Sequence, residues 1–272
     1  MLVKKKYWDF LNFVRSLIPN SIVNYFYHFP LAALAVLYYG YPAGNLKVIG
    51  VTGTDGKTTT STLLYEILKK AGLKVALIST VSAKIGKKDL PTGLHVTSPN
   101  PWELQKLLKL IKDKGFKYVV LESTSHGLDQ FRLWGCHFKI GVLTNVTHEH
   151  LDYHKTYAKY LQAKAKLFQK TEFSILNKDD RSFVKMKKRA KGKIISYGLK
   201  SGGYNLQNFS FKTTLLGEYN LSNCLAALSV ARTLGIKDKI IRQAIQEFKG
   251  VVGRMEEIKN KFGFKIFVDF AH

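Results

Sequence analysis

A β-branched run from Leu46 to Val51 gives way to Gly50-Val51-Thr52-Gly53-Thr54-Asp55-Gly56-Lys57-Thr58-Thr59-Thr60, and a helical pattern then runs from Lys57 to Ala71 before Gly72. Strand, glycine loop and helix in that order constrain the fold strongly. The first backbone N–H groups of a helix have no partner within it, and a glycine loop lets them converge on an anion. Lys57 can reach the β- and γ-phosphates of a nucleotide, and the Thr58 hydroxyl can ligate Mg²⁺. The run departs from the common G-x-x-x-x-G-K-[ST] spacing, because Val51 stands where its first glycine would be. A chance Gly-Lys-Thr in a loop is the competing reading, and placement between a strand and a helix weighs against it.

Beyond this loop, short apolar runs alternate with segments of helical period. Strands are expected at Val75 to Ile78, Tyr118 to Leu121, Lys139 to Leu143, Phe173 to Leu176 and Lys193 to Ser196. Asn100 reads as an N-cap with Pro101 at the first position of a helix that reaches about Lys114. Alternation of this kind implies an α/β fold, a mostly parallel sheet flanked by helices. There is no internal repeat or low-complexity linker, so residues 46–272 read as one domain.

Residues 1–45 read as a separate, short helical segment. Lys4, Lys5 and Lys6 precede an apolar, aromatic stretch from Ile22 to Tyr41, which Asn24, His28 and Pro30 are expected to interrupt, so a spanning helix is disfavoured. No signal-peptidase pattern follows. Two readings fit: an interfacial anchor on the inner leaflet of an anionic membrane, or helices packed on the next domain. The net charge of +24 likewise points to an anionic partner, whether membrane, nucleic acid or a phosphorylated small molecule. Nucleic acid is disfavoured because no compact recognition motif accompanies the charge. A hydrophobic content of 46% in 272 residues excludes a mainly disordered chain. Cys136 and Cys224, far apart and outside any C-x-x-C pair, exclude a disulfide framework and fit a reducing cytoplasm.

Further polar runs follow the strands. Glu122, at a strand end, can bind Mg²⁺ beside a γ-phosphate, although a strand-end Glu is often structural. His148, Glu149, His150 and His154 could instead hold zinc, with His150 and His154 on one helical face, but the spacing is not H-E-x-x-H. Lys164 reads as a solvent-facing lysine on an amphipathic helix. Arg132 can pair bidentately with a carboxylate, Arg254 offers a permanent cation, and Asp269 can accept from a ribose hydroxyl. Thr97-Ser98-Pro99 fits either a ligand-binding run or a turn. Asn220 and Asn223 fit either adenine contacts or a helix cap.

In their joint order these runs resemble the Mur ligase family. Gly53-Thr54-Asp55-Gly56-Lys57-Thr58-Thr59 is similar to its ATP loop, with Asp55 where Asn is usual. Glu122-Ser123-Thr124-Ser125-His126-Gly127-Leu128 resembles the E-x-S-S-H-G-L segment of the MurE-type members. Thr144-Asn145, His148 to His154 and Ala163-Lys164-Ala165-Lys166-Leu167-Phe168 are similar to its T-N, D-H-L-D-Y-H and A-K-x-K-L-F blocks. Gly217 to Asn223, Gly253 to Glu256 and Val268 to His272 resemble its adenine, arginine and ribose motifs.

The resemblance implies a P-loop central domain and an ATP-dependent amide-bond ligase of peptidoglycan precursor synthesis, cytoplasmic, acting on a UDP-N-acetylmuramoyl-peptide and an amino acid. It implies ATP contacts from the loop, Asn145, Asn220, Asn223, Arg254 and Asp269, and metal ligands from Thr58, Glu122, His150 and Lys164. Lys164 would be carbamylated by carbon dioxide, with Lys166 the alternative register, and Lys57, Lys164 and Arg254 would be catalytic. Thr97, Ser98, Thr124, Gln130 and Arg132 would hold the muramoyl-peptide end. Complete members also carry a uridine-nucleotide domain before this one and an amino-acid-binding domain after it. The chain is therefore expected to be a fragment that binds Mg²⁺-ATP without ligating. Two alternatives stand beside this: a folylpolyglutamate- or cyanophycin-synthetase-like ligase, and a non-catalytic, membrane-associated nucleotide-binding module.

Overall fold

The computed structural model describes residues 18–91, 98–258, 261 and 263–269; Lys4 to Lys6 and Thr97 lie outside them. The first element is α1, one helix from Asn20 to Tyr38. The expected interruption at Asn24, His28 and Pro30 does not occur. A π turn over Asn24–His28 widens the helix just ahead of Pro30, whose ring would otherwise crowd the carbonyl four residues back. Asn24 is buried rather than breaking the helix, because its amide donates to the Asp129 carboxylate at 2.9 Å. Ala32, Ala35 and Val36 pack inward, and Gly135 permits the approach, since a Cβ there would lie 2.6 Å from Val36. By length and composition alone, α1 could cross a membrane.

The chain then runs β1 (Lys47–Thr52), α2 (Lys57–Lys70), β2 (Val75–Ile78), β3 (Ser82–Ile85), β4 (Lys88–Pro91) and α3 (Pro101–Asp113). Next come β5 (Tyr118–Glu122), α4 (Ser125–Asp129), β6 (Phe138–Leu143), α5 (Leu151–His154) and α6 (Tyr157–Ala165). The last elements are β7 (Phe173–Asn177), α7 (Phe183–Arg189), β8 (Lys193–Tyr197), α8 (Glu218–Thr233), α9 (Asp238–Glu247), β9 (Glu256–Ile258) and β10 (Ile266–Val268).

The principal sheet has the order β4-β3-β2-β5-β1-β6-β7-β8, parallel from β2 to β8, with the β3–β4 hairpin antiparallel at one edge. Its strands are apolar on both faces because helices cover both. Val51, Val120, Val142 and Ile175 point into a core shared with α2, α8 and α9. Val48, Val119, Leu121 and Leu143 point into the opposite core, with α3 and α6. The Asn100 side chain caps α3 by accepting from the Glu103 N–H at 3.0 Å, and Leu104, Leu108 and Ile111 form its buried stripe. The β3–β4 hairpin carries no reading in the sequence pattern: its strands are four residues each and mix charge with apolar positions. β1 lies between β5 and β6, and the chain turns outward in opposite directions on its two sides. A crevice at the carboxyl ends of such strands is where open α/β sheets bind ligands.

Candidate active site

Gly53 to Thr60 close the end of β1, and side chains distant in sequence hold the loop. Asn145 Oδ1 accepts from the backbone N–H groups of Thr54 (3.0 Å) and Asp55 (2.9 Å), and Thr144 Oγ1 donates to the Asp55 carbonyl at 2.6 Å. Gly53 cannot carry a side chain here, since its Cβ would stand 1.7 Å from Thr144 Oγ1. Gly56 adopts φ +76° at the start of α2, with Asn223 Oδ1 packed where a Cβ would be. Asn145 therefore shapes the loop. Lys57 folds back onto the Thr54 carbonyl.

Glu122, only 2% exposed, meets the loop from the neighbouring strand. Its Oε1 accepts from Thr58 Oγ1 at 3.1 Å, and its Oε2 accepts from the N–H and hydroxyl of Thr80. A buried carboxylate touching a hydroxyl at a helix N-terminus is an all-oxygen donor pair suited to a hard cation. This geometry fits Mg²⁺.

Behind the loop lies a basic and aromatic cluster. Lys164 is 1% exposed, donates to the Gly53 carbonyl at 2.6 Å and stands over the Tyr160 ring. Burial, reinforced by the Lys57 charge, holds its amine well below the usual lysine range. Lys166 instead pairs with Asp129 at 2.7 Å, which separates the two registers. The solvent-facing reading of Lys164 is thus overturned: on α6 it faces the sheet. His126 packs against His150, Tyr153 and His154 with ring centroids 4.4–5.4 Å apart. Burial lowers the pKa of all three histidines, His126 and His154 to about 4. The zinc reading fails: among the described residues no group of three His, Cys, Asp or Glu side chains could hold a metal ion. His150 and His154 do not share a helical face, because His150 takes a left-handed conformation before α5 begins.

On the other side of the loop, Asp55, Asn145, Asn220, Asn223, Arg254 and Asp269 line a cavity of about 670 Å³. Neither asparagine caps α8. Asn220 donates to the Leu216 carbonyl and accepts from Asn223. Asp269 Oδ1 accepts from the Met255 N–H, tying the segment after β10 to the Arg254 turn. A third group sits at the start of α4, where the Thr124 and Ser98 hydroxyls are 3.1 Å apart. Arg132 donates to the Ser98 carbonyl and to Gln130 Oε1, so four of the five substrate candidates come together.

The sequence profile described as "Mur ligase middle domain" matches residues 51–231. The chain belongs to the Mur ligase family. It is 38% identical over 257 residues to the UDP-N-acetylmuramoyl-L-alanyl-D-glutamate--2,6-diaminopimelate ligase of Phocaeicola vulgatus, covering 88% of this chain and 53% of that protein. The enzyme of the same name from Clostridium botulinum is 36% identical, covering 89% and 54%. The chain thus spans about half the length of these relatives. A solved structure of a ligase of that name superposes with a TM-score of 0.71 at 31% identity, covering 80% of this chain and 50% of that one. Acinetobacter baumannii MurF (TM-score 0.70, 20% identity) and E. coli FolC (0.69, 21%) share the Mur ligase fold at that level alone.

Three contributors went unassigned in the sequence. Thr144 lay in a quoted motif without a role, and its signal was adjacency to Asn145. Tyr160, whose hydroxyl lies 3.1 Å from Thr54 Oγ1, and Thr80, which orients Glu122, had none.

Proposed function

We propose that this chain is the ATP-binding and phosphoryl-transfer part of a ligase that joins an amino acid to UDP-N-acetylmuramoyl-L-alanyl-D-glutamate. The contact between Thr58 and Glu122 beside the loop carries the reading, because it supplies a hard-cation site at the phosphate end of the nucleotide. Loop N–H groups and Lys57 bind the phosphates, while Asn220, Asn223 and Asp269 take the nucleoside side of the cavity. Bound Mg²⁺ would supply charge neutralisation at the transferring phosphoryl group. Arg132, Ser98 and Thr124 hold the substrate carboxylate, which attacks the γ-phosphorus as ADP leaves. The resulting acyl phosphate is attacked by an amine, and phosphate departs. Lys57 and Arg254 stabilise the charge that builds during transfer. Lys164 is read as adding carbon dioxide to its amine and losing a proton; the resulting carbamate, with His150, would complete a second cation site. The lowered basicity of that amine favours the nucleophilic form this addition needs.

The S-H-G-L and H-L-D-Y-H runs favour this substrate over a folylpolyglutamate-type one. Titration calorimetry should show Mg²⁺-ATP binding by the chain, and Lys57→Ala should weaken it by about 100-fold, the scale of a lost charge-assisted phosphate contact. Unchanged affinity in that variant would refute the nucleotide site. ATP binding without ligation in the longest reading frame containing this chain would favour a non-catalytic module.

A peripheral contact with anionic membrane is a second part of this proposal, favoured by the outward face of α1. Phe26 is 82% exposed, Leu37 74% and Tyr38 73%, in a chain of net charge +24. Vesicles rich in phosphatidylglycerol should float the protein, and Phe26→Ser with Leu37→Ser should abolish this. Equal flotation of both forms would leave α1 with a packing role only.

A further inference from the structure

The short helix α4 ends on a residue of the wrong type for its backbone. Gln130 is the C-cap, and the next residue, Phe131, has φ +54°. The Arg132 N–H then reaches back five residues to the Gly127 carbonyl at 3.0 Å. This is the Schellman arrangement, whose left-handed position is ordinarily glycine because a side chain there crowds the backbone. A bulky aromatic in that conformation costs free energy and persists only where surrounding contacts outweigh the cost.

Those contacts come mainly from α1. Tyr25 and Phe29 pack edge to face on the Phe131 ring, with centroids 5.3 and 5.4 Å away, and the Lys166 ammonium stands 5.4 Å from the same centroid. The helix also holds the residues on either side. Asn24 donates to Asp129 at 2.9 Å, Phe29 meets Trp134 at 5.4 Å, and Val36 packs where a Cβ on Gly135 would stand. Gln130 and Arg132, which flank the ring in sequence, reach instead toward the third polar group of the candidate site. Arg132 donates to Gln130 Oε1 at 2.8 Å and to the Ser98 carbonyl at 3.1 Å, beside the paired hydroxyls of Ser98 and Thr124. The left-handed residue is where the chain passes from one set of contacts to the other.

We propose that Phe131 is a positioning residue: pinned by Tyr25 and Phe29 of α1, its left-handed turn holds the Arg132 guanidinium in place for the substrate carboxylate. The inference rests on the reading above of Arg132, Ser98 and Thr124 as the carboxylate-binding group. A guanidinium binds a carboxylate through two parallel hydrogen bonds, so its direction matters as much as its charge. Glycine at position 131 would satisfy the backbone without strain but would leave the turn without its ring contacts to α1. Helix α1 thereby acts on the site at one remove, through a side chain that does not touch the ligand.

The test titrates UDP-N-acetylmuramoyl-L-alanyl-D-glutamate and Mg²⁺-ATP separately into the full chain, followed by calorimetry and NMR. Phe131→Gly relieves the backbone and removes the ring. It should weaken the peptide ligand by about tenfold, the scale of one lost hydrogen bond to a charged group, while ATP affinity holds. Phe29→Ala, on α1, should give a loss of the same kind, and combining the two should add little to either alone, because both remove one contact. Phe131→Tyr, which keeps the ring, should bind as wild type does. The Arg132 Nε–H resonance should shift in the two weakened variants and stay in place in Phe131→Tyr. A turn that serves folding alone gives another pattern: Phe131→Gly would keep wild-type affinity for the peptide ligand whatever its unfolding midpoint, and that result would overturn the proposal. Fully additive losses in Phe131→Gly and Phe29→Ala would overturn it too. Should Phe29→Ala unfold, Phe131→Gly and Phe131→Tyr still decide. Arg132→Ala separates this inference from the reading beneath it. Lost peptide binding in Arg132→Ala beside intact binding in Phe131→Gly refutes the positioning role alone, whereas no binding by the wild-type chain at millimolar ligand, or indifference to Arg132→Ala, refutes the carboxylate-binding group itself.

Discussion

Lys164→Ala is expected to cut ligation by about 100- to 1000-fold, the scale seen when one group stabilising transition-state charge is removed, while ATP affinity stays within a few-fold of wild type. On the proposed reading the loop and Lys57 would hold the phosphates without it, and a carbamate on Lys164 would add negative charge for a second cation. Carbon-labelled bicarbonate followed by NMR on this chain should show a carbamate signal that disappears in the variant. Ligation is measured in the longest reading frame containing the chain. Wild-type turnover in Lys164→Ala, or a signal that persists there, would reassign the site. Lys166 is a poor substitute, being half-exposed and committed to Asp129.

A second large effect is expected on acidification. His126 and His154 bind a proton near pH 4 in the fold, against an ordinary 6.5, because burial disfavours their charged forms. Between those values the unfolded chain holds more protons than the folded one, so stability must fall as pH drops from about 6.5 toward 4. Below that window both states are protonated and the histidine contribution levels off. Asp129, whose carboxyl the Lys166 and Tyr153 contacts hold below its usual range, adds a loss at still lower pH. Urea midpoints measured between pH 7 and 4.5 should fall steadily, and a flat profile would mean that the histidine cluster is hydrated. Double replacement, His126→Gln with His154→Gln, should flatten the slope whatever it does to the midpoint.

The parts of the fold legible in the sequence are those in which one segment carries its own pattern. Strands such as Val75–Ile78 are short, wholly apolar runs, and the Pro101 helix announces itself by Asn100 and an i, i+4, i+7 stripe. The β3–β4 hairpin lacked such a pattern because its edge position leaves it half exposed and charged. Helix α1 was misjudged for a different reason: the polar residue that looked like an interruption, Asn24, finds its partner 105 residues away. The candidate site divides along the same line. Lys57, Thr58 and Glu122 stand out because chemistry-bearing residues sit at strand ends. The clamp by Asn145, the seat of Lys164 against Gly53 and the packing of His126 on His154 are long-range contacts that no local spacing encodes.

The Asn145 clamp also has a consequence in time. The phosphate loop leaves the ribosome early, yet two of its N–H groups are fixed by a side chain about 90 residues further along. At typical synthesis speeds that interval is roughly 5–20 s, during which the helix after the loop can form but the loop has no clamp. On the proposed reading, nucleotide affinity is therefore expected late and all at once, when β6 joins β1. A nascent chain arrested before residue 145 should ignore ATP, so retention on immobilised nucleotide marks the moment at which the middle of the sheet closes.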